Sequence, residues 1–212
     1  MSQIAEQRIS ISGPAGTLEA VVSIPEEYNQ FHAVSVVCHP HPLHGGTMDN
    51  KVAHTLAKAF NSLNVPAIRF NFRGVGKSTG QFAEAIGETE DALAVIHYAQ
   101  SQFPDHDIWL GGFSFGAYIA LRVSQQIELA QLITVSPAVN LYALDDYRSP
   151  TCPWLLIQGE DDEIVPVESV KTWADQVQPP PQLHLMPETG HFFHGRLIDL
   201  RDAIIHHLEQ TT

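Results

Sequence analysis

Gly111-Gly112-Phe113-Ser114-Phe115-Gly116-Ala117 lies between an apolar run, Ile108-Trp109-Leu110, and the segment Tyr118-Ile119-Ala120-Leu121-Arg122, which reads as helix. A strand that stops at one residue and turns sharply into a helix forces that residue into a strained backbone conformation. The positions two before and two after it must then be small, and around Ser114 they are Gly112 and Gly116. Such a turn is expected to lift the Ser114 hydroxyl clear of a sheet, with the Phe115 N–H beside it at the helix start. A glycine-rich turn without chemistry fits the same residues, so the rest of the chain must supply partners for the serine.

Working outward, strands and helices alternate. Arg8 to Ser12 and Leu18 to Ile24 read as an antiparallel edge hairpin around Gly13-Pro14-Ala15-Gly16. Ala33 to Cys38 is a continuous apolar run, the pattern of a strand buried on both faces. A loop follows, then a helix with Val52, Leu56, Phe60 and Leu63 on one face, capped by Asp49 or Asn50. Ala67 to Phe70 is a strand, and about Glu84 to Gln102 a helix. After the Ser114 turn come strands at Gln131 to Val135 and Trp154 to Gln158, a helix holding Val170, Trp173 and Val177, and a strand at Leu183 to Met186. The last helix carries Leu197, Leu200, Ile204 and Leu208. This order predicts one α/β domain over residues 1–212, with a mostly parallel central sheet of about eight strands and helices on both faces.

Composition narrows the partners. The 212 residues carry 11 Lys and Arg against 24 Asp and Glu, a net charge of −13, which repels nucleic acid and anionic membranes. Cys38 and Cys152 match neither a zinc ribbon nor a C-x-x-C pair, and free thiols in a reducing cytoplasm are expected. The segment Met1 to Gln7 has no basic region leading into an apolar core, and no apolar run is long enough to span a bilayer.

Gly74-Val75-Gly76-Lys77-Ser78-Thr79-Gly80 suggests a phosphate loop but fails both tests. A P-loop needs glycine where Asn71 stands, and a dinucleotide fingerprint needs it at Thr79. Arg73 is expected instead to brace this loop against carbonyls or carboxylates.

A serine hydroxyl becomes a nucleophile when a base takes its proton and a third group holds that base. Four acids, Glu160, Asp161, Asp162 and Glu163, follow the strand ending at Gln158. His191 follows Gly190 in the loop after the last strand, where it can reach across the sheet tops to Ser114. His194 is placed one turn into the next helix. His39, His41 and His44 could be read as metal ligands, but no carboxylate or fourth histidine is fixed nearby, so no metal and no cofactor is expected.

Cys38-His39-Pro40-His41-Pro42-Leu43-His44-Gly45-Gly46-Thr47-Met48-Asp49-Asn50-Lys51-Val52 resembles the H-P-H-P-L-x-G-G-T-M-x-N-K-V stretch of a group of small bacterial α/β-hydrolases, near the dienelactone-hydrolase-like and lidless serine-esterase-like proteins. Phe70 to Ser78, Gly112 to Gly116, Gly159 to Pro166 and Gly190 to Leu197 are similar as well. The resemblance implies the α/β-hydrolase fold and a Ser-His-Asp triad. The G-x-x-D-x-x-V-P spacing usual in that fold points to Asp162 as the acid, with Asp161 the alternative. Ser114 would be the nucleophile and His191 the base. The oxyanion hole would combine the Phe115 N–H with that of His41, two positions beyond the histidine that usually ends this strand, or that of Leu43.

Ser136 to Pro153 is too short for a cap domain, so the cleft is expected to be open. Leu43, Tyr142 and Phe192 are expected to bind substrate, with Leu141 and Tyr147 adding to a short wall and some of Phe113, Phe115 and Phe193 to the lining or the core. The expected activity is hydrolysis of a carboxylic ester with a small or short acyl group. A thioesterase or small peptidase would use the same parts, and a non-catalytic binding protein of this fold is the alternative class.

Overall fold

The computed structural model describes residues 3–27, 30–142, 144 and 147–212. Met1 and Ser2 of the N-terminal segment lie outside them. Among the described residues the chain forms eight strands in one sheet and five α-helices. In chain order these are β1 (Ile4–Gly13), β2 (Gly16–Pro25), β3 (Ala33–Cys38), α1 (Lys51–Ser62), β4 (Ala67–Phe70), α2 (Ile86–Gln102), β5 (Asp107–Phe113), α3 (Phe115–Ser124), β6 (Gln131–Val135), β7 (Trp154–Gly159), α4 (Val167–Gln176), β8 (Gln182–Met186) and α5 (Leu197–Thr211).

The sheet order is β1-β2-β4-β3-β5-β6-β7-β8. The β1–β2 hairpin joins β4 antiparallel, and every other pair is parallel. Side chains alternate across each strand. Val34 and Val36 of β3 pack toward Ile96 of α2 and Ile119 of α3, while Ala33 and Val37 face Leu56 of α1 and Ile204 of α5. The central strands are therefore buried on both sides, and their mostly apolar sequences follow from that.

From β3 the chain winds through α1 to β4 on one side, and then crosses through α2 to β5 on the other. The crevice beyond the carboxyl ends of β3 and β5 is the switch point where open α/β sheets place ligands. The loop with His39 to Asn50 leaves β3 there, and Ser114 ends β5 there.

Three boundaries differ from expectation. β1 starts at Ile4 because it pairs with β2 along its whole length, although its mostly exposed side chains give no apolar pattern. α2 begins at Ile86, since Glu84 and Ala85 have positive φ values of 51° and 68° and the Glu88 carboxylate accepts the Ala83 and Ala85 N–H groups. His194 sits in a turn before α5, because positive φ at Phe193 and Gly195 delays that helix to Leu197.

Arg73 fixes the glycine-rich loop after β4. Its guanidinium and backbone N–H all donate to Asp91 at 2.8–3.0 Å, and Glu90 accepts at 3.3 Å. The described residues of 136–153 form neither helix nor strand, so no cap covers the sheet there. No helix among the described residues is long and apolar enough to cross a membrane.

Candidate active site

Ser114 adopts φ 56° and ψ −116°, a conformation that costs a non-glycine residue roughly 1–3 kcal/mol. Its neighbours allow it. A Cβ on Gly112 would strike the Gly116 carbonyl, and one on Gly116 would strike the carbonyls of Cys38 and His39. The backbone is then pinned from both sides, as the Ser114 N–H donates to Val135 O at 2.9 Å and its carbonyl accepts from Tyr118 N–H at 3.0 Å.

Three loops bring side chains to this serine. His191 Nε2 lies 3.0 Å from Ser114 Oγ, and His191 Nδ1 lies 2.8 Å from Asp162 Oδ2 and 3.0 Å from Oδ1. Asp162 Oδ1 also accepts the N–H groups of Ile164 (3.0 Å) and Val165 (2.7 Å), and Oδ2 accepts Gln158 Nε2 (3.0 Å). Burial pushes the Asp162 carboxyl up, but the hydrogen bond and charge of His191 and the Val165 and Ile164 N–H groups hold it below its ordinary value. Since Nδ1 faces a carboxylate, its proton stays there and Nε2 is left to accept from Ser114. Phe113, fully buried, packs its ring 5.0 Å from His191 and 6.4 Å from the equally buried Phe193.

The two acids flanking Asp162 make other contacts. Asp161 is exposed, and its backbone N–H donates to Thr189 O. Glu163 accepts the His191 N–H through Oε2 at 3.0 Å and so steadies the histidine loop. His194 is exposed, with its ring 5.9 Å from that of Phe192.

The loop after β3 is set by a buried histidine. His39 accepts the Phe72 N–H at Nε2 (3.1 Å) and bonds Pro40 O through Nδ1 (2.6 Å), tying this loop to the one after β4. Burial lowers its pKa to about 4, against the Pro40 contact that raises it and the nearby His41 that lowers it. Both ring nitrogens are thus committed within the protein. His41 and His44 stack at 4.5 Å. Among the described residues, no group of three or more His, Cys, Asp or Glu gathers as metal ligands would.

His41 caps a single 3-10 turn, Pro42–His44, with Nδ1 accepting the Leu43 N–H at 3.1 Å. The Leu43 N–H is therefore taken. The N–H groups of His41 and Phe115 have no acceptor among the described residues.

A cavity of about 280 Å³ opens over Ser114 and His191, walled by His41, Phe115, Leu141, Tyr142, Ile164 and Phe192. Two expectations need correction. Leu43 is 67% exposed and does not line the cavity, because the 3-10 turn directs it outward. Tyr147 is not part of the wall. It packs against Trp154 and Trp173 and shares a 2.9 Å hydrogen bond with Ser124. Sequence reasoning missed Ile164, Glu163 and Gln158. Only Gln158 left a signal, as an amide in the otherwise apolar run Trp154-Leu155-Leu156-Ile157.

Residues 36–146 match the hydrolase family described as serine aminopeptidase, S33. The chain superimposes on an α/β serine hydrolase homologue from Coxiella burnetii with 44% identity and a TM-score of 0.92, covering 98% of both chains. It is 39% identical to an α/β serine hydrolase without lid from Xanthomonas campestris, with a TM-score of 0.93 over 97% of this chain and 94% of that one. Lysophosphatidylserine lipase ABHD12 of Xenopus tropicalis is 26% identical over 58% of this chain, which spans 42% of the lipase's length. The chain belongs to the serine aminopeptidase S33 family of hydrolases, with the α/β-hydrolase fold and no lid.

Proposed function

We propose that this hydrolase cleaves carboxylic esters with a small or short acyl group through Ser114, His191 and Asp162. The observation that carries this is the unbroken hydrogen-bond chain from Ser114 Oγ through His191 to Asp162 on the floor of an open cavity. Ser114 Oγ attacks the acyl carbon while its proton passes to His191 Nε2, and Asp162 stabilises the imidazolium. The His41 and Phe115 N–H groups receive the oxyanion, each contributing on the order of 10²-fold in rate. His191 returns the proton to the departing alkoxide, which leaves as the alcohol. Water, deprotonated by His191, then cleaves the acyl-enzyme and releases the acid.

Ester chemistry is favoured over aminopeptidase chemistry by the cavity wall. An aminopeptidase must pair the free ammonium of its substrate, and among the described lining residues there is no Asp or Glu. Leu141, Tyr142, Ile164 and Phe192 suit an uncharged, apolar group instead. The Xenopus tropicalis relative is a lysophosphatidylserine lipase, which supports the ester reading over the peptidase one.

Parallel turnover of aryl acyl esters, acyl thioesters and aminoacyl anilides, with Ser114→Ala as control, tests the proposal. Ester hydrolysis abolished by Ser114→Ala is expected. Faster turnover of the anilides, or ester hydrolysis that survives Ser114→Ala, would overturn it.

A further inference from the structure

β7 reads Trp154-Leu155-Leu156-Ile157-Gln158-Gly159, and all of it is buried. Gln158 is fully buried within it, yet its Oε1 has no hydrogen-bond partner. An amide oxygen left unpaired in the interior destabilises the fold, and leucine or methionine would fill such a strand without that cost. The other end of the amide accounts for its presence. Nε2 donates to Asp162 Oδ2 at 3.0 Å and to Val165 O at 2.8 Å, with Gly159 O at 3.3 Å. Turning the amide over would set Oε1 against one carboxylate and two carbonyl oxygens, so only this orientation is tolerated.

The contacts form a closed frame. Val165 N–H donates to Asp162 Oδ1 while Val165 O accepts from Gln158, so one side chain ties both the carboxylate and the turn behind it to β7. We propose that Gln158 is a positioning residue for Asp162: it holds the carboxylate in the plane that receives His191 Nδ1–H and does so without adding a positive charge. This rests on the Ser114–His191–Asp162 reading above. A lysine or arginine at the same place would compete with the imidazolium for the Asp162 charge. Leucine would leave Oδ2 held by His191 alone.

Gln158→Met tests the proposal. The variant removes the donor and also the unpaired Oε1, so its thermal midpoint should equal or exceed that of the wild type. Its kcat/KM on an aryl acetate should fall about tenfold through kcat, as expected for a lost hydrogen bond to a charged group. Asp162, relieved of one donor, should draw harder on the protonated imidazole, so His191 should titrate at higher pH when followed by NMR. Gln158→Glu, which puts a second carboxyl beside Asp162, should raise that titration further and covers the case in which Gln158→Met does not fold. Unchanged kcat/KM and an unmoved His191 titration in the folded variant would overturn the proposal. The NMR titration needs no turnover. Failure of the wild type to hydrolyse any ester would therefore count against the esterase assignment, while the His191 shift would still decide the role of Gln158.

Discussion

Two buried carboxylates, Asp91 in α2 and Asp162 in the loop after β7, are wired in opposite ways. Asp91 is fully buried, and its carboxylate accepts three hydrogen bonds from Arg73, through Nε, Nη2 and the backbone N–H. Its charge is cancelled by a permanent cation, whose own pKa rises chiefly through the hydrogen bond to Asp91. Asp162 is held by neutral donors, the N–H groups of Ile164 and Val165 and the Gln158 amide, with His191 as the titratable partner. Neutral donors keep a carboxylate ionised without spending its charge, so it remains available to an imidazolium that forms during a reaction. The first arrangement fastens a loop, and the second can support catalysis.

The largest expected effect breaks the Asp162 arm. Asp162→Asn should lower kcat on an aryl ester by about 10⁴-fold through the wrong His191 tautomer, while the thermal midpoint changes little. A kcat within tenfold of wild type, or an equal loss in Asp161→Asn, would make the two carboxylates functionally alike.

Asp91→Ala should do the reverse. It leaves the Arg73 guanidinium buried without its main partner, and urea unfolding should show a loss of about 3–5 kcal/mol with kcat per folded molecule retained. A stable but inactive variant would move the loop after β4 into the active site.

His39 provides a third arm, through pH. Its folded pKa of about 4 lies below the ordinary 6.5, so the unfolded chain binds more protons between these values. The stability it contributes is fully present above pH 6.5 and is lost as the pH falls through the folded pKa, by about 3 kcal/mol in all. Denaturant midpoints of wild type and His39→Gln, compared at pH 7 and pH 4.5, should show a smaller pH effect in the variant. Parallel curves would show that this histidine is not what couples the loop after β3 to pH.

The smallest effect belongs to the cavity wall. Leu141 is 61% exposed at the mouth, so Leu141→Ala should raise KM a few-fold with kcat nearly unchanged, by removing part of a weak apolar contact. A fall in kcat instead would mean that Leu141 orders the reacting groups.

The central fold was legible because strands buried on both faces, such as Ala33 to Cys38 and Trp154 to Ile157, read as nearly continuous apolar runs. β1 was read short because an edge strand with exposed side chains needs only its backbone pairing with β2. Ser114 was legible because the strained turn demands Gly112 and Gly116, and Asp162 and His191 because chain order and spacing confine them to two loops. Leu43 was misplaced because its direction depends on the 3-10 turn that His41 caps, and no pattern of residue types records that. Glu163 and Gln158 escaped because their contacts depend on which oxygen or nitrogen reaches His191 and Asp162. That is set by loop geometry between β7 and β8.

The central claim is that the Ser114 hydroxyl is an activated nucleophile in the resting protein. Intact-mass and peptide mass spectrometry after treatment with an alkyl fluorophosphonate tests it most directly. One covalent phosphonyl adduct on Ser114, absent in Ser114→Ala and strongly slowed in Asp162→Asn, is the predicted result. An unmodified Ser114, or an adduct formed equally fast without Asp162, would contradict it.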